Sequence, residues 1–451
     1  MGVLFGTDGI RGIANQDLTP ELAMSVGRAA AAVLSADNRR HPKFVIGYDT
    51  RLSSGMLSSA AIAGLCSVGA DVIDLGLVPT PAVAYLVGKY KADAGIMISA
   101  SHNPFAYNGL KIFSGDGYKL PDALEEEIEN IITGNSHRHP QMTAEQVGQV
   151  SKAECAVKDY VHHLKSTVPY SLDGMKIAVD CANGSASATA KRLFGELGAE
   201  CHMLYSEPNG TNINEGCGST HPEALCAYVK EHHLDAGCAF DGDADRCFCV
   251  DDKGNLIDGD NIMAICAPDM KMRGKLAKNT IVGTIMTNLG FVKFCEENGI
   301  AFAATKVGDR YVLEQMLLED FNFGGEQSGH IIFRDFATTG DGQLTAIQLL
   351  SQIRRTGERL SDLSHCMKKF PQTMINVTVS AEGKLAFYTD QKIKQASEEA
   401  REKLGEDGRL VLRASGTEPL IRVMTEHKNA EIASSVAKEL AEVVQTQLGS
   451  K

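Results

Sequence analysis

The stretch ISASHNP, residues 98–104, carries an apolar run into two hydroxyls, an imidazole, an amide and a proline. A strand that stops on such a loop leaves a hydroxyl at the carboxyl edge of a sheet, where open α/β folds place ligands and chemistry. Ser101 is therefore a candidate nucleophile, with simple turn chemistry as the competing reading, since each of these residue types is common in turns. Further on, DGDADR (241–246) sets Asp241, Asp243 and Asp245 at alternate positions, so that an extended backbone aims all three carboxylates to one side. Carboxylates crowded in this way call for a cation, and hard oxygen donors with room for water or phosphate suit magnesium. An EF-hand also opens D-x-D-x-D, but it requires Gly at its sixth position and Glu at its twelfth, where Arg246 and Asp252 stand. A solvated acidic turn is the remaining alternative.

Two more segments suit anions and sugars. RASGTEPLIRV (413–423) groups Arg413, Ser415, Gly416 and Thr417, and Arg422 returns on the following strand-like run. Guanidinium groups bond phosphate in pairs, and the hydroxyls and backbone N–H groups of a glycine-containing loop complete an anion cradle. No G-K-[ST] follows, so this is not a Walker loop; a plain turn accounts for Gly416 and Pro419 but not for both arginines. GGEQSGH (324–330) offers Glu326, Ser328 and His330 between glycines, a mixture of acceptors and donors suited to sugar hydroxyls. In FGTDGIRG (5–12), Arg11 is the charge able to reach a phosphate, against the alternative of an ordinary surface arginine.

These residues need elements to hold them, and three parts of the chain repeat one order. The first runs KFVIGYDTR (43–51), SVGADVIDLGLVPTP (67–81), AGIMISASHNP (94–104). The second runs KIAVDCANG (176–184), ELGAECHMLYSEPNG (196–210), AGCAFDGDADR (236–246), and the third TIVGTIMTN (280–288), ENGIAFAATKVGD (297–309), FGGEQSGH (323–330). Each reads strand, helix ended at Gly-Ala or Gly-Ile, strand, and then a strand that stops at a polar loop. The expected fold is α/β: three similar α/β domains with mixed sheets, spanning 1–150, 151–255 and 256–368, plus a smaller C-terminal α+β domain over 369–451. The polar segment 134–152 and MKKFPQT (367–373) are the expected linkers.

The 44 basic and 57 acidic residues give a net charge of −13 with no Lys/Arg block, which argues against nucleic acid or an anionic membrane as partner. An anionic substrate must then be met by locally placed arginines. The 12 cysteines include no C-x-x-C pair, so they read as reduced and mostly buried thiols. The opening residues lack a charged start followed by a long apolar run, and no segment has the length of apolar residues that spans a bilayer; a soluble, cytoplasmic protein is expected.

FGTDGIRG, ISASHNP with NGLK, DGDADR, GGEQSGH and RASGTEPLIRV, in this order over nearly the whole chain, resemble the motifs of the α-D-phosphohexomutase superfamily. The resemblance implies a phosphosugar substrate, an enzyme phosphorylated on Ser101, and magnesium held by that phosphoserine with Asp241, Asp243 and Asp245. It further implies that Glu326 and Ser328 orient the sugar, that Arg413, Ser415, Gly416, Thr417 and Arg422 hold the phosphate not in transit, and that Arg11, Lys111, Arg246 and His330 line the reaction centre. In such enzymes a sugar 1,6-bisphosphate is the intermediate and activator, and it turns end for end between two transfers. Gln327 and GTNINEGCGSTHPE (210–223) resemble the forms found in the glucosamine-phosphate members, and that resemblance implies glucosamine phosphate as substrate, with the glucose or mannose phosphates of other members as the alternative. A non-catalytic sugar-phosphate sensor on the same fold is the alternative from another class; whether the chain forms a homodimer is left open by the sequence.

Overall fold

The structure is a computed structural model and describes residues 4–6, 8–35, 41–134, 142–415 and 419–449. Its residues fall into two compact units, 1–282 with 308–364 and 283–307 with 365–451.

In the first unit, six strands form one sheet: β1 (Ile10–Ile13), β2 (Lys43–Tyr48), β3 (Asp71–Leu77), β4 (Ala94–Ile98), β5 (Tyr107–Ser114) and β6 (Val150–Lys152), ordered β1-β5-β4-β2-β3-β6. The neighbours β4-β2-β3-β6 are parallel and β1-β5-β4 antiparallel, so the sheet is mixed. Every residue of β4, a central strand paired on both edges, is buried. Helix α1 (Pro20–Leu34) starts cleanly because Thr19 accepts the Leu22 N–H and Pro20 occupies the first turn. It packs on α2 (Ser54–Ser67) so closely that a Cβ at Gly64 would meet the Met24 carbonyl oxygen at 2.1 Å. A third helix, α3 (Thr80–Lys89), opens between Pro79 and Pro81.

The second sheet comprises β7 (Lys176–Asp180), β8 (Glu200–Leu204), β9 (Ala236–Phe240), β10 (Cys247–Asp251) and β11 (Leu256–Ile257), in the order β11-β10-β9-β7-β8. Here too β8-β7-β9 are parallel and β9-β10-β11 antiparallel. Strand β12 (Thr280–Thr284) carries the chain across the division between the units. Its Val282 pairs in parallel with Gly324 of the strand Phe323–Gly325, which pairs antiparallel with Ile331–Phe333. Beyond it, within the second unit, the Ile285 N–H bonds to the Thr305 carbonyl of β13 (Ala301–Thr305); the strands Phe323–Gly325 and Ile331–Phe333 are β14 and β15.

One feature recurs in all three sheets. The second strand of a parallel pair ends, a polar loop follows, and the chain returns antiparallel: β4 to β5, β9 to β10 and β14 to β15. The intervening segments, 99–106, 241–246 and 326–330, hold the Ser101, aspartate and Glu326 motifs. The expected α/β architecture with mixed sheets and a smaller C-terminal α+β part is thus observed. The reading of 134–152 as a linker needs correction at its end: β6 pairs in parallel with β3, because Val72, Ile73 and Asp74 leave a free edge for it.

In the second unit β16 (Gln372–Thr378), β17 (Gly408–Ala414) and β18 (Leu420–His427) form an antiparallel sheet in the order β16-β18-β17. The helices Gln391–Leu404 and Ala430–Leu448 cover one face, burying Val377, Ile393, Leu404, Ile421, Val423, Val436 and Leu440. The buried carboxylate of Glu426 fastens the segment 283–307 to this sheet: it accepts from Asn288 Nδ2 (3.1 Å), the Leu289 N–H (3.1 Å) and Arg409 (2.6 Å). Among the described residues no helix is long and apolar enough to cross a membrane, and all 12 cysteines are free. Ile421 is central to the small C-terminal core, so Ile421→Ala should cost about 2–5 kcal/mol in the unfolding of the second unit, measured by urea titration; a loss below about 1 kcal/mol would place the core elsewhere.

Candidate active site

Ser101 stands three residues past the end of β4, with φ of 51° and a buried side chain. A left-handed backbone is uncommon for a residue other than glycine, and here the surroundings hold it in place. The Arg51 guanidinium donates to the carbonyls of Ser101 (2.8 Å), Asn103 (2.8 Å), Pro104 (2.5 Å) and Tyr107 (3.1 Å). Arg51 is itself fixed by Asp49 (2.8 Å), which also accepts from the Ser54 hydroxyl (2.7 Å) and the Ser99 hydroxyl (2.6 Å). Ser99 in turn accepts the Ser101 N–H (3.0 Å). Asp49 and Arg51 are not among the candidates that the sequence motifs mark. Their signal was available in GYDTR, which ends β2 beside β4 at the same edge of the sheet.

The aspartate loop is not extended, contrary to the expectation that strand alternation aims its carboxylates. It is a turn, closed by the Ala244 N–H on the Asp241 carbonyl (3.0 Å) with Ala244 at φ 58°. The turn still converges the three side chains: ligand oxygens of Asp241, Asp243 and Asp245 all lie within 4.8 Å of one another, and all three residues are buried. Gly242 lets this turn meet the serine loop, since a Cβ there would stand 2.6 Å from the Ser101 carbonyl oxygen. Across that contact the Ser101 hydroxyl donates to Asp241 Oδ2 at 2.6 Å.

Lys111, on β5, enters the cluster from below. Its buried Nζ lies 2.7 Å from Asp243, 3.3 Å from Asp245 and 2.9 Å from Asp8. Burial works against its charge, but Asp243, Asp8 and Asp245 hold its pKa well above the usual value, so it stays an ammonium. Burial likewise opposes ionisation of Asp243, yet Lys111 and the Thr80 hydroxyl outweigh it and keep that carboxyl below its ordinary range. At Asp241 burial and the charges of Asp245 and Asp243 outweigh Arg246 and the Ser101 hydroxyl and push it well above the carboxylate range. Asp243 Oδ1 and Asp245 Oδ1 are buried and accept no hydrogen bond. Uncompensated buried oxygens of this kind, beside a carboxyl that cannot easily ionise, fit a hard dication.

The cationic side of the site is formed by Arg11, Arg246, Lys111 and Lys119. Arg246 donates toward His102 Nδ1 (3.3 Å), and burial together with Arg246 and Arg11 pushes His102 down to about 4, leaving a neutral imidazole. Glu326 accepts the Gly308 N–H (3.1 Å), and burial raises its pKa. The Ser328 hydroxyl and both ring nitrogens of His330 are buried without a hydrogen bond, with His330 Nε2 at 3.5 Å from Asp309. Asp309 pairs with Lys119, Lys119 with Asp8 (2.5 Å), and Asp8 with Arg11 and Lys111. An alternating line of charges thus runs from the Glu326 loop to the aspartate triad. Asp8, Lys119 and Asp309 were missed by the sequence reading, although Asp8 lies inside FGTDGIRG and Asp309 closes KVGD.

The first unit therefore brings together Ser101, Arg11, Lys111, Asp241, Asp243, Asp245, Arg246, Glu326, Ser328 and His330. Arg413, Ser415 and Arg422 belong to the second unit, and Gly416 and Thr417 lie outside the described residues. There Arg413 and Arg422 are direct partners across β17 and β18. Burial and the neighbouring Arg422 lower the pKa of Arg413. Like charges opposite one another destabilise a sheet, and an anion between them removes that cost.

Comparison with known proteins agrees with this arrangement. Four family models match in succession: phosphoglucomutase/phosphomannomutase α/β/α domain I over 2–139, domain II over 158–254, domain III over 258–370 and the C-terminal domain over 374–443. A phosphoglucosamine mutase from Caldanaerobacter subterraneus subsp. tengcongensis is 53% identical over 448 residues, 99% of this chain and 100% of the relative. Among solved structures, a phosphoglucomutase/phosphomannomutase family protein from Burkholderia thailandensis shares the fold with a TM-score of 0.84 at 24% identity, covering 98% of this chain and 97% of that one. An Aspergillus fumigatus N-acetylphosphoglucosamine mutase, solved in complex with GlcNAc-6P and magnesium, superposes with a TM-score of 0.63 at 16% identity, covering 99% of this chain and 96% of that one. Matched from end to end by these models and by a relative of more than half identical sequence, the chain belongs to the phosphoglucomutase/phosphomannomutase family of α-D-phosphohexomutases, alongside the phosphoglucosamine mutases.

Proposed function

We propose that this chain interconverts glucosamine 6-phosphate and glucosamine 1-phosphate through a phosphoserine at Ser101 and a glucosamine 1,6-bisphosphate intermediate, in the cytoplasm, feeding amino-sugar nucleotide and cell-wall precursor synthesis. The observation that carries this reading is the Ser101 hydroxyl bonded to Asp241 at 2.6 Å, inside a cluster of three buried aspartates and a buried ammonium. A sensor would have no use for that cluster.

Phosphoryl transfer needs little covalent help from a protein, and chiefly positioning and neutralised charge. The Ser101 Oγ–P bond breaks as a sugar hydroxyl oxygen bonds the phosphorus; a base of the site takes that hydroxyl's proton while the departing Ser101 oxygen takes up one, and the reverse exchange of protons accompanies rephosphorylation of the Ser101 hydroxyl from the other end of the sugar. Lys111 and Arg11 offset the charge of the phosphoryl group, while Arg246 and His330 line its path. Glu326 and Ser328 hold sugar hydroxyls, the acceptor and the donor that the sugar requires. Asp241, Asp243 and Asp245, with the Ser101 oxygen, are the residues that would hold magnesium, which when bound supplies Lewis-acid neutralisation of the phosphoryl oxygens. The cradle on the second unit, Arg413, Ser415, Gly416, Thr417 and Arg422, takes the phosphate that is not reacting.

The test of the whole reading is a side-by-side assay with glucosamine, glucose and mannose 6-phosphates, joined to peptide mapping of the purified protein. Glucosamine 6-phosphate should be turned over fastest, and one phosphate should map to Ser101; preference for mannose or glucose phosphate would reassign the sugar. Ser101→Ala should fold normally and lose nearly all turnover, since no carrier remains; retained turnover, or phosphate on Ser99, would remove the central assignment. Asp243→Asn should weaken magnesium binding by at least about tenfold, and activity with it, because it takes away one of three charges a hard dication needs. Exhaustive chelation should inactivate the wild type reversibly, and full activity after chelation would refute the metal's role. Arg422→Ala should weaken sugar-phosphate binding by roughly ten- to a hundredfold, the worth of a charge-assisted phosphate contact. It should also release more bisphosphate and depend more on bisphosphate added to the assay; an unchanged KM without that dependence would return the arginine pair to a structural role.

A further inference from the structure

Thr80 lies in the repeat segment SVGADVIDLGLVPTP (67–81), outside the motifs that offer chemistry, yet it makes two contacts with one aspartate of the triad. It is the first residue of α3, fully buried between Pro79 and Pro81, whose rings fix the backbone on either side. Its hydroxyl donates to Asp243 Oδ2 at 2.5 Å, and its N–H donates to the Asp243 carbonyl at 3.0 Å. Lys111 Nζ reaches the same Oδ2 at 2.7 Å. Two donors therefore occupy one oxygen of Asp243, and Oδ1, equally buried, accepts none.

We propose that Thr80 is a positioning residue for the metal site: by tying down one carboxylate oxygen and the carbonyl of Asp243, it turns the other oxygen toward the cation and holds the aspartate loop in register with the Ser101 sheet. This rests on the reading of the triad as a magnesium site. Lys111 alone does not fix the orientation, because a flexible ammonium shared among Asp243, Asp245 and Asp8 can follow a rotating carboxylate. A threonine hydroxyl on a helix locked between two prolines cannot. Groups that orient a ligand in this way typically govern metal affinity by 10- to 100-fold.

The experiment is a titration of the full-length wild type, Thr80→Val and Thr80→Ser with Mn2+ alone, read by the free-ion resonance signal or by heat. Thr80→Val keeps the shape and the N–H contact but removes the hydroxyl; it should bind Mn2+ about 10- to 100-fold more weakly, with the KM for sugar phosphate at saturating metal unchanged. Thr80→Ser keeps the hydroxyl and should bind within about threefold of wild type. Wild-type affinity in Thr80→Val, or an equal loss in both variants, overturns the inference while leaving the metal reading intact. No binding by the wild type overturns the metal reading and this inference with it. If Thr80→Val does not give a wild-type melting curve, Thr80→Ala against Thr80→Ser decides on the same criterion.

Discussion

The site depends on how a buried ammonium and buried carboxylates neutralise one another. Lys111 is almost wholly withdrawn from water, and it is tolerable there only because Asp243, Asp245 and Asp8 surround it within 3.3 Å. Removing one partner of such a cluster leaves an uncompensated buried charge, at a cost of about 3–5 kcal/mol. Yet the neutralisation is incomplete. Two aspartate oxygens accept nothing, and Asp241 is driven toward its protonated form by burial and by its neighbours. The folded protein thus holds a deficit of positive charge beside the Ser101 hydroxyl, which a dication held by the three aspartates would offset.

Keeping such a cluster requires stiff backbones. Three sheets each deliver a loop at the end of a buried strand and take the chain back antiparallel, so each loop is clamped by pairing on both sides. The serine loop receives a further brace, because Arg51 ties four of its carbonyl groups and Asp49 ties Arg51. The aspartate turn meets it through Gly242, where no side chain fits. Rigidity of this kind suits a reaction in which alignment and charge placement supply most of the rate. In the second unit two arginines, Arg413 and Arg422, stand opposite one another on adjacent strands of a sheet backed by its own apolar core.

Sequence by itself determined the fold class and the identity of the motifs. Periodicity and turn residues carry that information locally: an apolar strand, a helix stop at Gly-Ala and a polar loop are each read within a dozen residues, and their threefold recurrence identifies equivalent sheet edges. Residue type marked Ser101, Asp241, Asp243 and Asp245 only as candidates, because hydroxyls and carboxylates serve equally well in plain turns and solvated acidic loops. What only the tertiary structure decided is partnership over long separations. Asp8, Asp49, Arg51, Thr80, Lys119 and Asp309 are ordinary polar residues in their own segments, and they become parts of the site only when sheets more than a hundred residues apart in the chain bring Thr80 to Asp243 or Asp309 to Lys119. The convergence of the three aspartates was expected for the wrong local reason, since a left-handed turn at Ala244 achieves it where strand alternation was expected to. Local sequence encodes which conformations a segment prefers and which groups it offers; the charge balance that makes those groups a site is a sum over neighbours that burial alone assembles.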